Sequence, residues 1–443
     1  MGEIMQGMVD RERGLISRRI FSDEQIYRQE LDRIFRRCWI CVGHESMLPA
    51  PGDYITNYIG QDGVIVWRDV RGTIHVFLNT CTHHGNQLCL YDTGRAVSVT
   101  CSYHGWTFNS EGKLTGVPFF NEAYLGDLDR GRWGLVEVPN VRTYGGLIFA
   151  NWDSGAKPLE DQLGELGWYF DNILLVEHLG GLEAIPGVQR YNMSGNWKGF
   201  CDNFGGDHYH TPTTHASAIA QGVAGQESPE GPQGKTGYFE LTLRPAHNLG
   251  GIHTDTKQYE RDLARAQKMG PEVVDYIQGR HVRTQEQMKD VAAKPYGFSH
   301  GLCFPNLNMV GASSPFLARS FLLTHPLGPL EFEVWQWWMV ERAAPTVVKQ
   351  LAAANAANSQ AAAGLFGQDD SENFERIRQT LGTPLSDSVP FHYAMALGHD
   401  GEWPGHEEWH TEGLPGLVGP RFGETAQRLF YAHWAELMGL DGQ

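Results

Sequence analysis

Asp207, His210 and His215 stand in one stretch, residues 196–215, which reads Asn-Trp-Lys-Gly-Phe-Cys-Asp-Asn-Phe-Gly-Gly-Asp-His-Tyr-His-Thr-Pro-Thr-Thr-His. Asp207 and His210 are three apart, so on a helix they share a face. Pro212 lacks an N–H and disfavours a helical Thr211, so a bend is expected between the two histidines. A bend can bring His210 and His215 to one point. Two neutral imidazoles converging with an open side begin a non-heme iron site, which one carboxylate completes. Taken singly, each part has a plainer reading, since a lone His is more often structural than ligating.

A second set strengthens the first. Cys81-Thr82-His83 and Cys101-Ser102-Tyr103-His104 each offer one thiol and one imidazole. Thiolate suits soft iron or zinc, and imidazole is compatible with both. Structural zinc is one reading of a Cys₂His₂ set. Against it, Cys alternates with His here, whereas finger sites pair Cys with Cys. Gly85 and Gly105 follow the two loops closely, so backbone amides can approach sulfur. That suits a [2Fe–2S] centre with two His on one iron, the Rieske arrangement, whose potential lies within roughly −150 to +300 mV. Cys89 and His84 fall off the pattern and read as non-ligands. Cys38 and Cys41 form a Cys-x-x-Cys, but within an apolar, strand-like segment that lacks the turn and helix start of a redox dithiol.

These residues must be positioned by a chain of 443 residues, long enough for two domains. The net charge of −17 argues against nucleic acid or an anionic membrane as partner. No apolar run approaches the roughly 20 residues of a membrane span. The first residues, Met-Gly-Glu-Ile-Met-Gln, lack a signal pattern, and position 6 is not the Ser or Thr that myristoylation needs. A cytoplasmic protein is expected. Seven Cys in such a chain make no disulfide framework.

Ser22, followed by Glu24 and Gln25 and then by apolar residues at helical spacing, predicts a helix over 23–37. Short alternating runs at 54–59, 64–68, 74–79, 97–101, 106–109 and 146–151, with a hairpin turn at 69–72, predict an all-β domain over 39–155. Residues 158–185 read as helix and 188–197 as strand. Residues 220–236 have loop composition and the length of a lid or a plain surface loop. Helices are expected at 257–269, 271–278, 345–363, 371–380 and 423–440, and strands at 307–312, 318–325 and 331–341.

Together the Cys-x-His and Cys-x-x-His loops and the 196–215 stretch resemble the large (alpha) subunit of Rieske non-heme iron aromatic-ring-hydroxylating oxygenases, from about residue 18 to the C-terminal helix. The resemblance implies an α+β chain. An N-terminal helical segment, 1–38, packs on the catalytic domain; 39–155 is the all-β Rieske domain. Residues 156–443 form a larger catalytic domain with a curved antiparallel sheet and helices, of helix-grip type. It implies that Cys81 and Cys101 bind one cluster iron and His83 and His104 the other, and that His210 and His215 bind a mononuclear Fe(II). Gly-Gln-Asp-Asp-Ser-Glu-Asn-Phe at 367–374 resembles the family's late acidic segment. Its second Asp gives Asp370 as third ligand, with Asp369 the rival. An acidic helix start is the plainer reading, a role for Asp369 or Glu372. Asp207 is then implied to orient His210 and to reach His104 of a neighbouring chain, in an α₃ trimer or an α₃β₃ hexamer. Two departures bear on cluster potential and donor docking: His84 stands where the family commonly has Arg, and Asp202 where it has Glu.

The implied activity is addition of both atoms of O₂ to an arene, giving a cis-dihydrodiol. Electrons come from NAD(P)H through a separate reductase or ferredoxin, since no Gly-x-Gly-x-x-Gly opens a helix here. By the same resemblance Asn203 and Phe204 line the pocket, with Phe366 a further candidate. That lining favours a mono- or polycyclic hydrocarbon. An aromatic carboxylate would need a buried cation, for which Arg319 and Arg244 are candidates. The competing readings are a Rieske monooxygenase or demethylase, a pure electron carrier, and a non-catalytic assembly subunit.

Overall fold

The computed structural model describes residues 7–220, 238–252, 257–290, 297–311, 314–401 and 413–440. The chain divides into two compact units, one running to Glu30 and resuming at Glu160, the other Leu31–Leu159. Among the described residues no helix is long and apolar enough to cross a membrane.

The Leu31–Leu159 unit is built of short antiparallel strands in three small sheets. Strands Asp53–Ile59, Asp62–Arg68 and Ile74–Leu78 fall where the sequence predicts them; the first alternates in burial, but Val64–Trp67 and Val76–Phe77 are buried on both faces instead of alternating. The Asp69 carboxylate closes the hairpin by accepting from the N–H groups of Arg71 and Thr73. A core of Ile65, Trp67, Phe77, Trp106 and Phe108 supports the two Cys/His loops and includes Cys81 and Cys101. The loops have one design. The Gly85 N–H donates to Cys81 O, and the Gly105 N–H to Cys101 O. Both glycines hold positive φ, 77° and 74°, which an L side chain resists.

The other unit carries a nine-stranded antiparallel sheet. Its order is Leu182–Ala184, Glu331–Glu341, Arg319–Gly328, Leu307–Val310, Gly297–Cys303, His247–Ile252, Tyr238–Leu243, Leu417–Pro420, and Gln189–Ser194 also pairs with Glu331–Glu341. Four of these strands, Tyr238–Leu243, His247–Ile252, Gly297–Cys303 and Leu417–Pro420, escape the sequence reading, and a fifth, Leu182–Ala184, falls in an expected helix. Their glycines and polar residues blur the alternation, and their pairing partners specify them instead. The expected 158–185 helix breaks up: Gly164 and the Gly180–Gly181 pair turn with positive φ, and 182–184 is strand. The expected 23–37 helix is Glu24–Glu30 followed by a wider turn, Leu31–Phe35. Its cap is Asp23, which accepts from the Gln25 N–H at 2.8 Å. Ser22 instead closes a short preceding helix, Arg19–Ser22. The 220–236 loop lies outside the described residues beyond Ala220.

Helix Trp197–Phe204 links this frame to the site. Asn196 caps it, accepting from the Lys198 N–H at 3.0 Å. At its foot Lys198 Nζ donates to Glu30 Oε1 at 2.5 Å, with both side chains fully buried. Trp434 Nε1 donates to the same oxygen at 2.7 Å, and Trp197 Nε1 to Glu30 Oε2 at 2.9 Å. A half-broken buried pair is far worse than none. Lys198→Ala is therefore expected to cost about 3–5 kcal/mol, read by denaturant unfolding with indole fluorescence. A loss below about 1 kcal/mol would show that the pair behaves as a surface one.

A second buried network ties helix Pro271–Gln287 to the sheet. Glu341 accepts from Arg280 Nε at 3.0 Å, from Arg319 Nη2 at 3.4 Å and from the Tyr276 hydroxyl at 2.7 Å. Burial would raise this carboxyl, but Arg280 and Arg319, then Tyr276, hold it down to about 2 against an ordinary 4.5. A depressed carboxyl contributes stability that is present above its unfolded value and lost as pH falls through the folded one. The urea midpoint should therefore fall between about pH 4.5 and 2. Glu341→Gln should be less stable at neutral pH and flatter across that window; an equally steep fall in the variant would refute the assignment.

Candidate metal centres

After Phe204 the chain leaves the helix at Gly205–Gly206, with Gly206 at φ 112°. Asp207 and His210 thus sit on a loop, not on one helix face as expected. What joins them is the Asp207 side chain, whose Oδ1 accepts from the His210 N–H at 3.1 Å. Pro212 also acts otherwise than expected. It lies in the first turn of a new one-turn helix, Thr211–Thr214, where a missing N–H costs nothing. That turn carries the chain from His210 to His215.

The two imidazoles do converge. His210 Nε2 and His215 Nε2 are 3.3 Å apart. Asp370 Oδ1 lies 3.7 Å from the first and 3.4 Å from the second. Donors each about 2.1 Å from one ion stand roughly 3.0–3.6 Å apart, so the set fits a transition metal. Asp370 reaches it from helix Leu365–Thr380, which begins well before the acidic pair. Neither Asp369 nor Glu372 is therefore at a helix start. Asp369 Oδ2 lies 3.5 Å from His215 Nδ1, on the outer side of that ring. Asp207 Oδ2 stands likewise, 3.2 Å from His210 Nδ1. Burial raises the Asp370 carboxyl to about 6; His210 opposes the rise, while Asp207 and Asp369 add to it. Three carboxylates crowd two imidazoles, a charge excess that a bound cation relieves.

In the other unit Cys81 and Cys101 are buried with their thiols in contact. The backbone N–H groups of His83 and His84 point at Cys81 Sγ, and those of Tyr103 and His104 at Cys101 Sγ. Asn86 Nδ2 adds a contact to Cys101 Sγ at 3.6 Å. Donors aimed at sulfur favour thiolate. The His83 and His104 rings have centroids 4.6 Å apart. His83 Nε2 faces the Tyr124 hydroxyl at 3.3 Å, while its Nδ1 is buried with no hydrogen-bond partner, as a ligand atom would be. Among the described residues, groups of three metal-type donors within 4.8 Å of one another do not include these four, as a single tetrahedral zinc would require. Two thiols on one side and two imidazoles on the other fit a two-iron cluster. Cys38 and Cys41 are not a redox pair in waiting: burial pushes both thiols up to about 12.

A cavity of about 400 Å³ opens beside His210, His215 and Asp370. Asn203, Phe204 and Phe366 all line it. The Phe366 ring packs edge-on against His215, centroids 5.1 Å apart. The cations considered from sequence do not reach it. Arg319 is buried against Glu341, and Arg244 is exposed and paired with Glu165. Arg421 lines the cavity instead, with His208, Ser299 and His300. Sequence reasoning missed this polar group, although His208 stands inside the 196–215 stretch.

Residues 38–142 match the family described as the Rieske [2Fe-2S] domain, and residues 185–440 the ring hydroxylating alpha subunit (catalytic domain). The chain is 36% identical to the biphenyl 2,3-dioxygenase subunit alpha of Rhodococcus jostii RHA1, covering 97% of this chain and 90% of that one. It is 34% identical to a benzene 1,2-dioxygenase subunit alpha of Pseudomonas putida, covering 98% and 93%. A solved naphthalene 1,2-dioxygenase with indole bound in the active site superposes with a TM-score of 0.83 at 30% identity, covering 98% of this chain and 94% of that one.

Metal analysis separates the two centres. His210→Ala, His215→Ala and Asp370→Ala should each lose the mononuclear iron while the visible absorption of the cluster stays. Asp369→Ala should keep most of it, because Asp369 faces the far side of His215. Full iron retention in Asp370→Ala with loss in Asp369→Ala would exchange the two roles.

Proposed function

On the premise that the chain belongs to the alpha subunits of Rieske ring-hydroxylating oxygenases, we propose that it adds both atoms of O₂ to adjacent ring carbons of a neutral arene, giving a cis-dihydrodiol. The observation that supports this most is the inward-facing His210, His215 and Asp370 set opening on an aromatic-lined cavity. When bound, the [2Fe–2S] cluster at Cys81, His83, Cys101 and His104 relays single electrons, and ferrous iron at His210, His215 and Asp370 offers open positions for O₂.

The protein residues supply position and protonation state. Asp207 Oδ2 takes the Nδ1–H of His210, and Asp369 Oδ2 faces the Nδ1 of His215. The Asp207 contact fixes a His210 tautomer whose Nε2 lone pair points inward, and Asp369, at 3.5 Å, faces the outer nitrogen of His215 without bonding to it. Asn203 Nδ2 approaches the His210 ring at 3.4 Å and limits its rotation. Phe204, Phe366, Phe200 and Leu322 form the wall against which an arene lies and keep water out. These apolar groups favour a mono- or polycyclic hydrocarbon over an aromatic carboxylate.

Asp207 also lines a second depression of about 690 Å³ with Tyr209 and His210, so it is reachable from outside the fold. That placement supports a link from Asp207 to His104 of a neighbouring chain, and with it an α₃ or α₃β₃ ring. The electron donor is a separate ferredoxin or reductase that oxidises NAD(P)H.

A single turnover tests the reading. Chemically reduced protein is given an arene panel under ¹⁸O₂ and the products are weighed. A diol with two labelled atoms is the expected outcome. One labelled atom, or loss of a methyl group, would replace it with a monooxygenase or demethylase.

A further inference from the structure

One end of the 400 Å³ cavity is polar, and the chemistry above makes no use of it. His208, Ser299 and His300 line that end, with Arg421 and Tyr238 beside them. Behind them lies Glu240, 5% exposed. Its Oε2 accepts from Asn248 Nδ2 at 3.1 Å. Its Oε1 stands 2.5 Å from His208 Nδ1 and 3.5 Å from His300 Nε2. The remaining ring nitrogens, His208 Nε2 and His300 Nδ1, lie 3.2 and 3.0 Å from Ser299 Oγ. Ser299 Oγ is also 3.2 Å from Gly250 O. The four side chains cluster at the cavity wall, with Ser299 between the two imidazoles and Glu240 behind them.

The strand is locally rebuilt to make this possible. Neighbouring residues of a strand point to opposite faces, yet Ser299 and His300 both line the cavity. Gly250 pairs with His300 and Gly251 with Phe298, so Ser299 is an extra residue, a bulge that turns both side chains inward. Gly250 is required opposite, because a Cβ there would collide with the His300 ring and Ser299 Oγ.

Two His and one Glu also make a metal-type donor set. The 2.5 Å between His208 Nδ1 and Glu240 Oε1 is too close for two ligands of one ion, which stand about 3.0 Å apart or more. Proton accounting gives a different use. Glu240 lies behind the wall with its Oε2 taken by Asn248 Nδ2, so the groups left facing the cavity are those of His208, Ser299 and His300. Glu240 Oε1, His208 Nδ1 and His300 Nε2 are buried close together but make no hydrogen bond to one another, so the acid does not fix either tautomer. His208 Nε2 and His300 Nδ1 face one hydroxyl, whose single proton is also within reach of Gly250 O. The cavity side of the cluster thus offers groups that both donate and accept, as a substrate hydroxyl does. A plain hydrocarbon there would leave polar groups facing a ring edge unpaired. A carboxylate would bring acceptors only and a second negative charge near Glu240, but Arg421 at the same end is a cation it can pair with, so it is the rival the test must exclude.

We propose that His208, Ser299 and His300, backed by Glu240, form a subsite for a hydroxyl on the substrate, so that the arene taken is a neutral, hydroxylated one. This rests on the oxygenase reading above and narrows its substrate from a hydrocarbon to a hydroxyarene. Sites built to hydrogen-bond a substrate hydroxyl discriminate strongly against analogues that lack it.

The test uses the iron-loaded protein with an electron supply and three probes: biphenyl, a hydroxybiphenyl and a biphenyl carboxylate. In wild type, kcat/KM for the hydroxybiphenyl should exceed that for biphenyl by about 10-fold or more. Ser299→Ala should bring the ratio toward one, chiefly through KM for the hydroxybiphenyl. Equal turnover of biphenyl and hydroxybiphenyl by wild type, a preference for the carboxylate, or an unchanged ratio in Ser299→Ala each overturns the subsite while leaving the oxygenase reading intact. If no probe is oxidised by fully iron-loaded protein, the biphenyl skeleton is the wrong arene while the metal reading stands. Calorimetric binding of the same three probes then decides the subsite alone, with tighter binding of the hydroxybiphenyl expected and equal binding overturning it.

Discussion

The catalytic unit hangs on one buried ion pair. Glu30, Lys198, Trp197 and Trp434 come from three distant parts of the chain, and four hydrogen-bonding groups meet there with no exposed side chain at Glu30 or Lys198. Desolvating both charges is expensive, and the attraction repays it only where every remaining polar atom is matched. Here the two indole N–H groups supply that matching for the carboxylate. The ammonium lies over the rings of Phe21, Trp197 and Trp434 at 5.3–5.6 Å, within cation–π reach. Removing Glu30 or Lys198 leaves the other charge buried without its counter-charge. The constraint fixes the start of helix Trp197–Phe204 against the N-terminal segment and the C-terminal helix. Asn203 and Phe204 sit on the far end of that same helix, and Asp207 follows it within a single turn. The position of His210 is therefore set at the foot of the helix as much as at its own loop.

Three aspartates surround the two histidines, and geometry divides their work. Asp370 faces both Nε2 atoms; Asp207 and Asp369 each face one outer Nδ1. A carboxylate on the outer nitrogen orients the ring and leaves the inner lone pair for a cation. The cluster loops reach a comparable end by backbone. Paired glycine turns close both loops, and successive N–H groups are directed at each sulfur. Ligand sets differ between the two centres, but in each the protein spends outer contacts on holding an inner donor in one state.

What the sequence discloses follows the range of the interactions. The Cys81/His83 and Cys101/His104 loops are legible because their chemistry is local: ligand spacing and a glycine turn fall within five residues. His210 and His215 are legible as a pair for the same reason, although the reading of their backbone is wrong. Gly205–Gly206 ends the helix sooner than periodicity suggests, and Pro212 starts a helix instead of bending one. Asp370 has no local signature that separates it from Asp369. Only its placement across the fold from His215 does so, and resemblance stands in for that placement at the level of sequence.

The polar end of the cavity is the least legible part, and the cause is register. Glu240 lies in a strand whose other residues are largely apolar, His300 in one interrupted by glycines, and His208 beside a ligand that draws the eye first. Nothing in their sequence spacing relates them. They meet because Tyr238–Leu243, His247–Ile252 and Gly297–Cys303 are consecutive neighbours in the sheet, and because one extra residue at Ser299 shifts the pairing. A one-residue shift in a strand exchanges its two faces. Without the bulge Ser299 and His300 would point to opposite sides, and the Glu240 carboxylate would lose His300 and keep two of its three neighbours, His208 and Asn248. A buried ionised acid so left would cost several kcal/mol. Gly250, Ser299, His300 and Glu240 are thus one structural decision. A change at any of them acts on the shape and polarity of the cavity, while the iron-facing triad keeps its own support from Asp207 and Asp369.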